Sequence, residues 1–127
     1  DYLLILIFVL IFVDFDEISS LLKPLLGGAL FSSGTHIILV SAVLSQLISN
    51  VPATILLINH VPPARWVSLA VGVNLGGIGL LTGSMANIIA VRLGGLDARA
   101  YHRVAVPLFA LLLIIVLVLS GFGLLSP

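Results

Sequence analysis

The chain has 127 residues, of which 61% are hydrophobic and 8% are charged, and its mean hydropathy is +1.35. This composition lies outside the range of soluble domains and predicts an integral membrane protein. The formal net charge of zero excludes a basic nucleic-acid-binding surface, and the lack of cysteine excludes a disulfide framework and a thiolate metal site.

The first predicted element is a helix over about residues 1–15. Its apolar run, residues 2–13, is shorter than the roughly 20 residues that cross a bilayer, and the chain begins inside this run without Met. We therefore expect the chain to be the C-terminal piece of a longer protein. A signal peptide is the less favoured alternative, because no basic segment precedes the run and no small-residue cleavage site follows it.

An acidic segment and a connector come next. Asp14, Asp16 and Glu17 predict a solvated helix end at the membrane surface, and only Asp14 lies near enough to the apolar run for a role in ion coupling. Residues 16–34 have the mixed pattern of a short amphipathic connector at the interface, ended by proline and glycine. His36, at the start of the next helix, is interpreted as an interfacial side chain rather than a ligand.

The stretch 37–59 is mostly apolar and is interrupted by Asn50 and Pro52. Proline removes a backbone donor and clashes with the preceding turn. The stretch therefore predicts either one kinked spanning helix or a re-entrant hairpin over about residues 36–60. The first arm of such a hairpin would be about 20 Å long, which is too short for a hydrocarbon core of about 30 Å.

Polar side chains in this stretch form a stripe that leads to the interruption. Ser41, Ser45 and Ser49 recur at i, i+4 and i+8 and share one helix face, and Gln46 and Asn50 form a neighbouring pair. Small polar residues also let membrane helices pack closely, which is our interpretation of Ser41 and Ser45. Ser49 and Asn50, beside the proline-broken turn, are predicted to belong to a binding site.

After a proline-rich loop, a helix that breaks in its middle is predicted over about residues 64–93. Glycines at positions 76, 77, 79 and 83 would each cost a continuous helix about 1 kcal/mol relative to alanine, so we expect unwinding there. A half-helix would resume near Ser84, capped by Thr82 or Ser84. Its N-terminus would attract an anion, and carbonyls freed by unwinding would suit a cation. The alternative is one intact helix with a glycine packing face.

The final spanning helix is predicted over about residues 103–122, with Pro107 in its first turns, where proline is tolerated. Three arginines surround the preceding loop, and the positive-inside rule places that loop in the cytoplasm. His60 and His102 are interpreted as loop residues.

The sequence contains no pattern typical of an enzyme. The three histidines, at positions 36, 60 and 102, lack the spacing of metal ligands. The glycine-rich run lacks the strand and the Lys of a phosphate-binding loop. We therefore predict that the protein is not an enzyme, has no metal site, and needs no cofactor other than Na⁺ or H⁺ as a coupling ion.

Three segments carry a resemblance to a known family: 45–54 (SQLISNVPAT), 74–77 (NLGG) and 81–87 (LTGSMAN). In this order they resemble the second half of the ion transporter superfamily. The similarity is greatest to the arsenite-permease and sodium/proton-antiporter-like anion permeases, and more distant to the divalent-anion:sodium symporters. The symporters have Ser-Asn-Thr at the hairpin tip, whereas Val51 follows Asn50 here. The resemblance covers nearly the whole chain.

The resemblance implies two inverted repeats, each with a re-entrant hairpin and a discontinuous helix, and a substrate site where the hairpin tips meet the unwound helices. On this basis the predicted substrate- or ion-binding residues are Ser49, Asn50, Pro52, Ala53, Thr54, Asn74, Gly77, Thr82, Gly83, Ser84 and Asn87.

The sequence thus predicts an all-α integral membrane protein of the inner membrane, in which residues 1–127 form a single membrane domain, the C-terminal repeat of a longer transporter. Spanning helices, a re-entrant helical hairpin and a discontinuous transmembrane helix make up the predicted fold. The predicted function is secondary active transport of a small inorganic or organic anion by alternating access, driven by a cation or proton gradient. Its predicted partners are the anion, the lipid bilayer, the missing N-terminal repeat and, as a candidate, a second copy in a homodimer. Two alternatives stay open: a sodium/proton-type cation antiporter, and a non-transporting packing or assembly module.

Overall fold

The computed structural model describes residues 2–22, 24 and 31–124. Across these residues the chain is helical and contains no strand, which confirms the predicted all-α class. The helices are α1 (Tyr2–Leu22), α2 (Gly34–Ile48), α3 (Asn50–Ile58), α4 (Trp66–Gly76), α5 (Met85–Leu93) and α6 (Ala98–Gly121), with short 3₁₀ turns at Pro63–Arg65 and Leu81–Gly83.

Helix α1 is longer than the sequence indicated. It continues to Leu22 instead of ending near residue 15, so Asp14, Asp16 and Glu17 lie within the helix and not at its end. The apolar run stops at residue 13, but a helix needs no apolar residues to continue as long as its backbone hydrogen bonds are made. Residues 23 and 25–30 of the predicted connector lie outside the described residues.

The extension of α1 is attached to α3 by polar contacts. Ser19 Oγ donates a hydrogen bond to Leu56 O at 2.8 Å, and Asn59 Nδ2 donates to Asp16 Oδ1 at 3.0 Å. Ser19 is fully buried, whereas most other side chains of α1 are exposed. The C-terminal part of α1 is therefore held against α3 by hydrogen bonds.

Helices α2 and α3 form a hairpin whose two ends lie together. Phe31, which precedes α2, stacks on His60, which follows α3, with 6.3 Å between ring centroids. Arg65 Nη1 also donates to Phe31 O at 2.8 Å. A single kinked helix over this length would hold its ends more than about 30 Å apart. The structure thus contains a helical hairpin and not a kinked helix.

The turn of the hairpin is made at Ser49. Its φ is +76°, the only positive φ of a non-glycine residue among the described residues. Ala53 N donates to Ser49 O at 3.1 Å, and Pro52 lies in the first turn of α3, where proline costs no hydrogen bond. A backbone in this region is strained by about 1–3 kcal/mol and persists only where its surroundings impose it.

Helix α4 packs into the hairpin at very short range. A Cβ at Gly72 would lie 2.6 Å from Ile38 O, and one at Gly76 would lie 2.7 Å from Ser45 Cβ. The glycines therefore let two helix backbones touch, as the packing interpretation of this face requires. Ser41 lies in the same interface and donates to Ile37 O at 2.6 Å. The apolar core beside it consists of Phe31, Ile37, Ala53, Leu57, Val61, Leu69 and Val73.

Helix α6 begins at Ala98, after the extended residue Asp97, and not near residue 103. Pro107 consequently lies in the interior of the helix, and its expected place in the first turns was wrong. Histidine 102 is likewise a helical residue and not a loop residue. Within the described part of the chain, Ala98–Gly121 is the one helix long and apolar enough to cross a membrane.

Candidate functional site

The chain between α4 and α5 is not helical over residues 77–84 except for the short turn Leu81–Gly83, so the alternative of one intact helix is excluded. We call residues 77–84 the break. Its two ends are close together: a Cβ at Gly83 would lie 2.5 Å from Gly76 O. Only glycine fits there without movement of the backbone.

Side chains from four helices, α2, α3, α5 and α6, bind the backbone of the break. Such partners are needed because a backbone group buried without a hydrogen-bond partner costs about 1–3 kcal/mol. Four of these hydrogen bonds run from Leu80 N to Gln46 Oε1 (2.5 Å), from Leu81 N to His102 Nε2 (3.3 Å), from Tyr101 Oη to Ile78 O (2.8 Å) and from Asn87 Nδ2 to Gly77 O (2.6 Å). Helices α2, α3, α5 and α6 thus hold the unwound conformation.

Asn50 joins the hairpin tip to the break. Amide orientation is assigned from the hydrogen-bond network; with its nitrogen facing the acceptors, Asn50 Nδ2 donates to Gly83 O at 2.7 Å and to Ser45 Oγ at 2.6 Å. Ser45 Oγ donates in turn to Val73 O at 2.8 Å. The assignment is consistent because the single hydroxyl hydrogen of Ser45 serves Val73, leaving its oxygen free to accept. A Cβ at Gly77 would lie 2.7 Å from this amide.

Gln46 contacts the break through both its side chain and its backbone, although the sequence pattern indicates only that it neighbours Asn50. Its side-chain oxygen accepts from Leu80 N, and its backbone oxygen accepts from Thr82 Oγ1 at 2.8 Å. The side chain is 7% exposed, and its Nε2 has no hydrogen-bond partner among the described residues. An amide in an apolar helix was the signal available in the sequence.

The structure brings seven of the eleven predicted site residues together. Asn50, Gly77, Thr82, Gly83 and Asn87 are connected through the contacts above. Ser49 forms the adjoining turn, and Ser84 caps α5 by accepting from Ala86 N at 3.3 Å. These residues form one cluster where the hairpin tip meets the break.

Four other predicted residues lie apart from this cluster or face away from it. Ala53 is buried in the apolar core of the hairpin, and Asn74 is exposed, with its Nδ2 donating to Ala70 O of its own helix at 2.8 Å. Thr54 Oγ1 donates to Asn50 O at 2.8 Å, and Pro52 lies in the first turn of α3. Thr54 and Pro52 therefore contact or form the first turn of α3 and do not contact the break through the hydrogen bonds described above.

A cleft of about 480 Å³ adjoins the break on its α6 side. Its polar groups are the side chains of Asn87 and Tyr101, and the rest of its wall is apolar or glycine. The lining residues are Gly77, Ile78, Asn87, Leu96, Ala100, Tyr101, Val104, Ala105 and Leu108. Clefts of this size accommodate small molecules.

The electrostatics of the cluster come from backbone dipoles. None of its residues carries a formal charge, and two helices begin in it, α3 at Asn50 and α5 at Met85. Helix N-termini carry a partial positive charge and free N–H groups. In the described residues no group of three His, Cys, Asp or Glu side chains could hold a metal ion. The arrangement can therefore attract an anion to the helix ends or present carbonyl oxygens to a cation.

The chain is similar to two curated membrane proteins. It is 44% identical over 105 residues to inner membrane protein YbiR of Escherichia coli K12, across 81% of this chain and 27% of that protein. It is 39% identical over 100 residues to uncharacterized transporter MJ0456 of Methanocaldococcus jannaschii, across 78% of this chain and 27% of that protein. The chain thus spans about a quarter of the length of these relatives. No family model and no solved structure matches it.

One relative is named an inner membrane protein, and α6 is apolar and long enough to span a bilayer. The chain lies in the inner membrane. This confirms the predicted localisation and accounts for the many exposed apolar side chains of α1 and α6. The other relative is named an uncharacterized transporter, and membership of the ion transporter superfamily stays a prediction for this chain.

Proposed function

We propose that this chain is part of a secondary active transporter that moves a small anion by alternating access. The name of one relative supports transport. The observation that carries the proposed site is the contact of Asn50, the first residue of α3, with Gly83 O, two residues before α5 begins. Two helix N-termini meet there, which is the arrangement that favours bound negative charge.

In this proposal the protein acts by position and not by covalent chemistry. The helix N-termini receive the anion, while amide and hydroxyl groups such as those of Asn50 and Thr82 replace its water. Because the cluster has no basic side chain, a coupling cation or proton neutralises the charge during transport. The missing repeat supplies the other half of the site.

The hairpin is proposed to enter the membrane and return from the same side. Its arms have 15 and 9 residues, or about 22 and 14 Å at 1.5 Å per residue. Neither crosses a hydrocarbon core of about 30 Å. A hairpin open at the end of Phe31 and His60 would then place its tip near the midplane, where the break would also lie.

A second candidate is a cation antiporter of the same architecture. It is favoured by carbonyl oxygens: Val73 O and Gly83 O lie within 3.0 Å of the Asn50 amide, and unwound carbonyls coordinate Na⁺ in transporters. A packing module, by contrast, accounts for Gly72 and Gly76 at the α2–α4 interface, but it gives no role to the break.

The test is solute-induced current in proteoliposomes of the full-length protein, with arsenite, phosphate, sulfate, citrate and succinate, and with sodium and proton gradients imposed separately. Asn50→Ala is expected to abolish the flux, whereas the matched control Asn74→Ala, an exposed amide outside the cluster, is expected to retain it. A response to cations alone would favour the antiporter. Silence in the wild type, in current and in tracer uptake, would contradict transport.

A further inference from the structure

Helix α6 binds the break through two neighbouring side chains. Tyr101 Oη donates to Ile78 O at 2.8 Å, and His102 Nε2 accepts from Leu81 N at 3.3 Å. Leu81 is the first residue of the turn Leu81–Gly83. His102, which belongs to α6, therefore supplies the acceptor for a backbone N–H of the break.

The hydrogen bond from Leu81 exists in only one charge state of the imidazole. Nε2 can accept while it carries no proton, whereas both ring nitrogens of a charged imidazole are donors. Histidine is the side chain that ordinarily changes charge between about pH 5 and pH 8. A proton on Nε2 of His102 would place two N–H donors face to face, and the contact would be lost.

The turn released in this way is the one that contacts the hairpin tip. Thr82 Oγ1 donates to Gln46 O at 2.8 Å, and Gly83 O accepts from Asn50. These residues directly follow Leu81 in the chain. A change at His102 therefore reaches the proposed anion site through the backbone of a single turn.

The elements packed against α6 add few other titratable groups. Helix α4 and the turn Leu81–Gly83 contain no titratable side chain. The titratable side chain of α2 is His36, which contacts Ser32. His36 lies near the C-terminal end of α6, because the adjacent residue Thr35 contacts Ser120. The rings of Tyr101 and His102 are nearly perpendicular, at 5.4 Å between centroids. The remaining charged residues of this region, taken from the sequence, are Arg92, Asp97, Arg99 and Arg103.

We propose that His102 is the proton-binding site of this transporter. Proton uptake at Nε2 releases the turn Leu81–Gly83 from α6 and so couples the proton to the anion site. The coupling role rests on the function proposed above, whereas the pH-dependent contact does not, and the two can be tested separately.

The contact is tested by hydrogen exchange of the full-length protein in lipid nanodiscs. Amide protection of residues 78–83, corrected for the intrinsic exchange rate, is compared at about pH 5.5 and pH 7.5, with residues 67–73 of α4 as the internal reference. We expect protection in the wild type to fall by about tenfold at the lower pH, equivalent to about 1.4 kcal/mol. His102→Gln retains an acceptor that does not titrate, and should show no change; His36→Gln should behave as the wild type.

Unchanged protection in the wild type would overturn the proposal, and so would a wild-type response in His102→Gln. If His102→Gln fails to fold, the pH comparison in the wild type still tests the proposal, and His102→Asn replaces His102→Gln as the variant. Proteoliposome uptake separates the two proposals. If protection depends on pH but no solute is transported, the pH-dependent contact is supported and the transport function is contradicted. If His102→Gln transports solute with the same dependence on the proton gradient as the wild type, the proton-binding role of His102 is contradicted and the transport function is supported.

Discussion

The two interruptions of helix in this protein are stabilised in different ways. At the hairpin turn, one residue, Ser49, takes up the strain, and the backbone hydrogen bonds around it come from the hairpin itself, from Ser49 N to Ser45 O and from Ala53 N to Ser49 O. The break is eight residues long and rich in glycine, and its backbone is held by side chains of α2, α3, α5 and α6.

This difference suggests a division of labour between the two regions. A turn that satisfies its own backbone can present Asn50 in a constant geometry. A segment that depends on five side chains from other helices can change conformation whenever one of those contacts is lost. We therefore expect the hairpin tip to be the fixed part of the site and the break to be the part that responds. Substitutions can test this contrast.

The largest effect is expected for Gly83→Ala. The added Cβ would lie 2.5 Å from Gly76 O, so the backbone of the break must shift, at a cost of about 1–3 kcal/mol. Thermal unfolding of the full-length protein measures this loss. Gly121→Ala is the matched control, because nothing lies within 4 Å of a Cβ there. Equal melting temperatures for the two variants would show that the break is not closely packed.

Gln46→Met should weaken the break and spare the hairpin. The change leaves Leu80 N, a part-buried donor, without its acceptor, and a donor left without a partner inside a protein costs about 1–3 kcal/mol. Hydrogen exchange is expected to speed up in residues 80–83 and to stay constant in residues 53–57. Asn74→Met, at an exposed amide, is the control. Equal acceleration in both regions would contradict the division of labour.

Tyr101→Phe should have a smaller effect on the same region. It removes one neutral hydrogen bond, from the hydroxyl to Ile78 O, which is worth about 0.5–1.5 kcal/mol. Urea unfolding compares this variant with Tyr2→Phe, whose ring is 92% exposed. If the two variants have the same free energy of unfolding, the hydroxyl of Tyr101 does not support the break.

Ser49→Gly tests the turn of the hairpin and should change stability least, in the opposite direction. Glycine adopts a positive φ without strain, which stabilises the folded state, but it also loses more entropy on folding. The net gain is expected to be at most about 1 kcal/mol. Ser41→Gly, in the interior of α2, should lower the melting temperature instead. A lower melting temperature for Ser49→Gly would mean that the serine side chain itself holds the turn.

The sequence predicted the interruptions well and their supports poorly. The spacing of glycines 76, 77, 79 and 83 indicated the break, because helix propensity is a local property. Asn50 and Pro52 indicated an interruption, but a hairpin differs from a kink by contacts between residues far apart in the chain, such as Phe31 with His60.

The same limit explains the functional residues that were missed. The sequence predicts a loop at His102 because the apolar run of α6 starts only at Val104, and the partner of His102, Leu81, lies 21 positions earlier. Gln46 has its partners 34 and 36 positions away. Asn74 was included in the site on the motif alone, although its side chain bonds to its own helix. Local patterns indicate where a backbone breaks, and tertiary contacts determine which side chains meet it.

The central claim is that the hairpin tip and the break form one binding site. Its most direct test is hydrogen exchange of the full-length protein in nanodiscs, with and without the anion that drives current in proteoliposomes. We predict that the anion slows exchange in residues 50–54 and in residues 82–87 together, with the same concentration dependence, and leaves α1 unchanged. Protection of only one of the two segments, or of neither, would contradict the claim.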